Sequence, residues 1–538
     1  MGGLLGLLCN TGCSDESGDS STMNSADVVD EHGVVTPLVC PGAKGCERSA
    51  GRELRAGVGK ARITPTVETW DDADGDGVWS AGEEFDDVNG NGSWDGVWMA
   101  GFGNGRAATG AHDEQWARAV VFEQGDVSIG LVALDLIGLF HGDVVEIRKM
   151  ASEADLGLDH ILVATTHQHE GQDTMGLWGP SFGQSGYSPE YAAFVRERAV
   201  EALQQAIDTR READIRLGTA EAPELLNDTR LPDVRDQSIT SLQLRDAQSD
   251  EVFGTVVIWG NHPEALGSGN TLLTSDYPHF LREEMESQWP GSTAVFFSGI
   301  LGGLTTTIGI VGCPDANGEE TCPQGTFERA EYVGVGAARA AIDSLQGENG
   351  RDVEVDELGF RRHPFFLTTS NAGFALMFLS GLVPRSLYTP EGVAYAAEDV
   401  ADLDLDDVLE GRAVIATEVD ALAIGEVEIV TIPGELYAEL WLAKSDGASY
   451  VEHPENGDFP DAPAQPPIQA LMPAGATRVI INNANDALGY IIPKPQWDEA
   501  APHAYSEDGQ YGEGNSLGPQ TAPSIVEAVE EMYQMTAR

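Results

Sequence analysis

The chain has 538 residues, with 30 Lys and Arg set against 88 Asp and Glu, a formal net charge of -58. Such a surface repels phosphate backbones and anionic membranes, which excludes nucleic-acid binding and polybasic lipid docking. With 41% apolar residues and 63 glycines, the composition is that of a globular chain with a large core, not a disordered one.

The first residues, MGGLLGLLC, form an apolar run too short to span a bilayer, followed by Cys9, Cys13 and a polar stretch to residue 50. This reads as an export signal and tether, placing the protein outside the cell, secreted or lipid-anchored at a bacterial envelope. Residues 51–538 form the folded body. Cys40 with Cys46, and Cys313 with Cys322, read as small disulfide-closed loops, since neither pair has zinc-knuckle spacing.

Residues 70–98 are an acidic insertion. Asp72, Asp74, Asp76, Gly77 and Glu83 stand at positions 1, 3, 5, 6 and 12 of a calcium loop, a spacing that wraps carboxylate oxygens around one ion. Asp87, Asn89, Asn91, Gly92 and Asp95 repeat its first nine positions, but Trp98 stands where the last acid belongs. A solvated acidic loop is the alternative reading of both.

Beyond the insertion, strands are predicted at residues 120–123, 129–135, 160–165, 241–244, 255–259, 293–297, 414–418 and 426–432. Helical spacing falls at 189–209, 280–288, 327–345, 436–443 and 522–535. The alternation predicts an α/β fold of mixed sheets covered by helices. Residues 364–383 are nearly apolar, but Asn371, Gly373 and Gly381 interrupt them, so a buried or substrate-lining segment is expected in place of a membrane span.

Three places carry candidate chemistry. His167 and His169 follow a β-rich run, where alternate residues aim two imidazoles into one site; the pair reads as a metal grip, or as one ligand and a bystander. His262 leaves a strand into a Gly/Asn/Ser-rich loop, and alone would be a structural histidine. Glu435 follows Pro433 and Gly434 at a strand end, where the start of a helix favours an ionised carboxylate.

Taken in order, GVGKARITP (57–65), GFGNGRAATGAHDEQWARAVVF, LVALDLIGL, ATTHQHEG, NDTRLP, NHPEALGSGNTLLTSDYP, PGE, NDALGYI and YGEGNSLGP resemble the neutral/alkaline ceramidase family, zinc amidases that release the acyl chain of an N-acyl sphingoid base. The resemblance spans nearly all of residues 56–520. It implies a ceramidase-like zinc hydrolase domain, with His167, His262, Glu435 and Tyr490 as zinc ligands and a zinc-bound hydroxide as nucleophile. It further implies His169 as proton shuttle, Tyr511 as oxyanion donor and Arg230 near the substrate carbonyl. Asp135 is expected to support the site from behind the ligands or to be structural.

The sequence also departs from the family. The usual HTHSG reads His169-Glu170-Gly171-Gln172-Asp173 here. The active-site serine of the family's GDVSP loop is replaced by Thr305, which keeps a hydroxyl and is expected to take its catalytic place, and Ala487 stands where many relatives carry tyrosine. No residues remain for the C-terminal immunoglobulin-like domain of longer members. The expected function is therefore hydrolysis of ceramide or a related N-acyl lipid. The alternatives are a zinc amidase or esterase on a non-sphingolipid substrate, and a non-catalytic calcium-binding surface protein. A metallo-β-lactamase-like hydrolase also places HxH after a strand, but the acid and histidine that should follow are missing.

Overall fold

The computed structural model describes residues 38–39, 53–75 and 77–534. Cys9, Cys13, Cys40, Cys46 and Asp76 lie outside these residues. Two sheets stack face to face with helices on their outer sides. The larger runs in the order Thr293–Ser298, Val252–Trp259, Ser238–Asp246, Arg211–Glu221, Arg55–Arg62, Trp116–Gln124, Val127–Leu134, His160–Thr165, with Arg351–Val353 also paired to Arg211–Glu221. The smaller contains Leu38–Val39, Leu358–Leu367, Ile415–Ile424, Val427–Thr431 and Thr477–Ile481. Their facing sides interdigitate Phe122, Leu131, Leu244 and Phe297 with Phe360, Leu422, Ile429 and Ile481, all buried.

The helices bury alternating faces as their spacing predicts. Pro189–Asp208 lays Val195, Ala199, Ala202 and Ala206 on the large sheet, close enough that a Cβ at Gly59 would lie 2.2 Å from the Ala202 carbonyl oxygen. Tyr277–Gln288 and Phe327–Gln346 cover the other half of that sheet. Thr521–Gln534 packs on the smaller one.

A buried ionic cluster ties the sheets together. Arg148 Nη2 donates to Glu418 at 2.5 Å and Arg362 Nε to the same carboxylate at 2.6 Å. His160 Nε2 lies 2.7 Å from Asp420, which also accepts from Asn485 Nδ2 at 2.6 Å. Each charge in this dry interface has an opposite partner, the condition under which buried ions persist.

The strands expected from the sequence are present, most of them longer than predicted. The helix expected at 436–443 shrinks to Ala438–Trp441, because Glu435 and Leu436 are drawn into a parallel pair with Tyr490 and Ile491. The apolar stretch 364–383 divides: its start belongs to the Leu358–Leu367 strand and its end to the Ala372–Ser380 helix. Among the described residues, no helix is long and apolar enough to cross a membrane. Cys313 and Cys322 form the expected disulfide, with Cα atoms 5.4 Å apart.

Candidate metal centre and its cavity

Three parallel strand pairs set the site. Val127–Leu134 pairs with His160–Thr165, Val252–Trp259 with Thr293–Ser298, and Val427–Thr431 with Thr477–Ile481. Just past their C-terminal ends come His167 and His169, His262, Glu435 and Tyr490. Side chains there converge because every parallel strand ends on the same rim, the position at which α/β sheets hold ligands.

His167 turns out of its strand with φ 59°, in the left-handed region. Its Nδ1 lies 2.7 Å from the Ile137 carbonyl, and His262 Nδ1 lies 2.7 Å from the Thr305 carbonyl. Each contact places a hydrogen on Nδ1 and turns Nε2 inward. Both Nε2 atoms point at Glu435 Oε2, at 3.4 Å from His167 and 3.0 Å from His262. The Glu435 to Tyr490 register sets the tyrosine beside the carboxylate.

His169 completes the group. A ring nitrogen from each of His167, His169 and His262 lies within 4.8 Å of the others, yet both nitrogens of the buried His169 ring lack a hydrogen-bond partner. Glu264 Oε2 is 3.7 Å from its Nδ1. Burial, then the neighbouring His167 and His262, push His169 well below the ordinary histidine range. Burial alone would raise Glu435, but His167 and His262 hold it well below the usual carboxylate range.

Three inward-facing imidazoles, two of them held in place by backbone carbonyls, with a carboxylate between them and two unpartnered nitrogens, form the donor set that a divalent transition ion takes. The residues present fit zinc.

The centre opens into a cavity of about 200 Å³ lined by His167, His169, Glu435 and Tyr490 at its base and by Phe102, Phe140, Trp178, Phe374 and Phe378 along its walls. The Ala372–Ser380 helix supplies two of those rings, so the apolar segment does line the cavity. Tyr511 stands at the mouth, 60% exposed, its ring 5.8 Å from that of Tyr490.

Two other expected site residues lie behind this surface. Arg230 is 3% exposed and clasps Glu513 at 2.9 and 2.6 Å, while its Nη1 donates to the Tyr511 carbonyl at 2.5 Å. It braces the tyrosine loop and does not line the cavity. The Thr305 hydroxyl is fully buried and directed at the Gly302 carbonyl, 3.4 Å away, while its own carbonyl orients His262. Glu435 lies in a two-residue strand and not at a helix start, so its low pKa comes from the imidazoles and not from a helix dipole. Asp135 is bidentate to Arg282 at 2.8 and 2.9 Å, and its carbonyl accepts from Gln168 Nε2 at 2.9 Å.

Sequence reasoning missed Gly101, Arg106 and Glu264. Arg106 donates to the His169 carbonyl and pairs with Glu170 at 3.1 Å. At Gly101, φ is 104°, and a Cβ would lie 2.5 Å from His169 Cβ and Cγ. The GFGNGR run holds both residues, and its density of glycines was the available signal.

In the acidic insertion, carboxylate oxygens of Asp72, Asp74 and Glu83 lie within 4.8 Å of one another. Asp72 accepts from the Gly75 and Gly77 backbone at 2.8 and 2.9 Å, and Glu83 from Ala73 and Ser80 at 2.8 Å each.

No family model matches the chain, and no curated protein matches it by sequence. Among solved structures, the fold is similar to that of neutral ceramidase from Pseudomonas aeruginosa, with a TM-score of 0.62 at 17% identity, over 90% of this chain and 74% of that one. A ceramidase complexed with C2 superposes with a TM-score of 0.60 at 16% identity, over 90% and 75% of the two chains. The mixed α/β architecture of this chain is thus the fold of the neutral ceramidases.

Proposed function

We propose that this protein is an exported zinc-dependent hydrolase that cleaves the amide bond of ceramide or a related N-acyl lipid. The observation that carries the reading is the inward-facing group of His167, His169, His262 and Glu435 at the base of an aromatic cavity. His167, His262, Glu435 and Tyr490 would hold the ion, which supplies Lewis-acid polarisation of a carbonyl and lowers the pKa of water.

The protein's own groups account for the remaining steps. The walls of Phe102, Phe140, Phe374 and Phe378 take an acyl chain and exclude water from the base. His169, neutral and with both ring nitrogens unengaged, accepts a proton from water and returns it to the departing amine. Tyr511 donates its O–H to the carbonyl oxygen as negative charge develops there. Arg230 acts through Tyr511, fixing its backbone. Because the protein is strongly acidic, substrate reaches the cavity through its apolar mouth and not by charge.

A panel of N-acylsphingosines, N-acyl amino acids and simple esters tests the substrate. Turnover confined to the sphingosines supports the lipid reading; turnover of amino-acid amides or esters alone replaces it with a non-sphingolipid amidase or esterase. We further propose a structural calcium ion at Asp72, Asp74 and Glu83, supported by their convergence. Millimolar calcium then raises the melting temperature, and an unchanged temperature reduces the insertion to a solvated loop.

A further inference from the structure

The wall that carries His169 has a second side. Ala100 N donates to the Gly171 carbonyl at 2.9 Å and Asp173 N to the Trp98 carbonyl at 2.8 Å, making a thin partition from two short segments. Phe102 and His169 line the catalytic cavity on one side of it. Trp98 and Gln172 line a separate groove of about 940 Å³ on the other, between the acidic insertion and the Pro189–Asp208 helix.

The groove combines flat aromatic surfaces with amides. Trp94, Trp98, Tyr187 and Phe194 line it together with Asn91 and Gln172. The indoles are fixed: Trp94 stacks on Trp79 at 5.2 Å and meets Trp98 edge-on at 5.9 Å and 89°. Gln172 is only 6% exposed, yet its side-chain amide makes no hydrogen bond to any described residue. Its oxygen and nitrogen open onto the groove, where a ligand hydroxyl can take the place of water.

Charge narrows the choice of ligand. Among the described residues lining the groove, the one cation, Arg62, is already paired with Glu114 at 3.2 Å, whereas Asp95 and Glu190 are acidic. An anionic ligand would find no free counter-charge and would meet the field of a protein carrying -58. A purely aliphatic ligand would displace water from the Gln172 amide and replace none of its hydrogen bonds. Rings that can cover the C–H face of a pyranose, beside amides and carboxylates that can bond its hydroxyls, suit a neutral sugar.

We propose that this groove binds an uncharged saccharide, with Trp98 as its platform and Gln172 as its buried hydroxyl partner. This inference does not depend on the hydrolase reading. The test is saturation-transfer NMR and tryptophan fluorescence on the full chain, using cellotriose and triacetylchitotriose as probes and a heparin tetrasaccharide as anionic control. Saturable binding of a neutral probe is expected, weakened about tenfold or more by Gln172→Ala with an unchanged melting temperature. Should Gln172→Ala not fold, Phe194→Ala serves, with the same weakening expected. No binding of either neutral probe at about 10 mM, equal binding of the heparin fragment, or full affinity in the variant that folds would overturn the proposal.

Discussion

His167 stands in the left-handed region of backbone space, where a histidine costs of order 1–3 kcal/mol. That strain persists because the Ile137 carbonyl fixes the ring from one side and Glu435 faces it from the other. His169 is held differently, by Arg106 on its carbonyl and by the absence of a side chain at Gly101. Gly101→Ala is therefore expected to displace the His169 ring and lower amide hydrolysis by about 10²-fold. Metal content separates the two roles open to this histidine: zinc retained in the variant marks a proton carrier, and zinc lost marks a ligand. The structure brings His167, His262, Glu435 and Tyr490 together; the first three follow strands that are legible in the sequence, whereas Tyr490 was indicated by the family resemblance alone. The burial of Arg230 against Glu513 and of the Thr305 hydroxyl toward the Gly302 carbonyl was not legible, because no spacing encodes those contacts.

At the scale of elements, the parallel pairs set the rim, and the ionic cluster between the sheets sets their relative placement. Glu418 answers both Arg148 and Arg362 in an interface closed to water. Glu418→Ala leaves two guanidinium groups facing each other there, and is expected to destabilise the fold by about 3–5 kcal/mol in chemical denaturation; a loss below about 1 kcal/mol would mean the cluster behaves like a surface pair. The strand periods were readable because buried strands such as His160–Thr165 are apolar almost throughout. The short Glu435–Leu436 pairing was not, since two residues carry no period and their partner lies at Tyr490–Ile491. The Ala372–Ser380 helix was recognised as apolar, but its packing beside the centre is a property of the tertiary fold alone.

Over the whole molecule, the charge of -58 is met partly by protonation. Burial raises Asp228 to about 8, and Glu428, Glu439 and Asp276 to about 7. Between the unfolded carboxylate pKa of about 4 and these values, the folded state binds more protons than the unfolded one, so stability falls as pH rises. Glu418, held well below its ordinary value by Arg148 and Arg362 despite burial, acts in the opposite sense and contributes stability that is lost under stronger acid. The melting temperature is thus expected to be highest in weak acid and to decline from pH 5 to 8, with a shallower decline in Asp228→Asn; a rise over that interval would contradict the assignment. At the base of the cavity, the imidazoles and Glu435 are proposed to form a catalytic metal centre. Its most direct test is the metal content and amide hydrolysis of the purified full chain, before and after chelation, beside His167→Ala and Glu435→Ala. A catalytic centre requires about one zinc per chain, activity lost on chelation and restored by zinc, and neither metal nor activity in the variants. A folded wild-type protein that takes up no zinc, or one that hydrolyses its amide substrate equally well after the metal is removed, would contradict it.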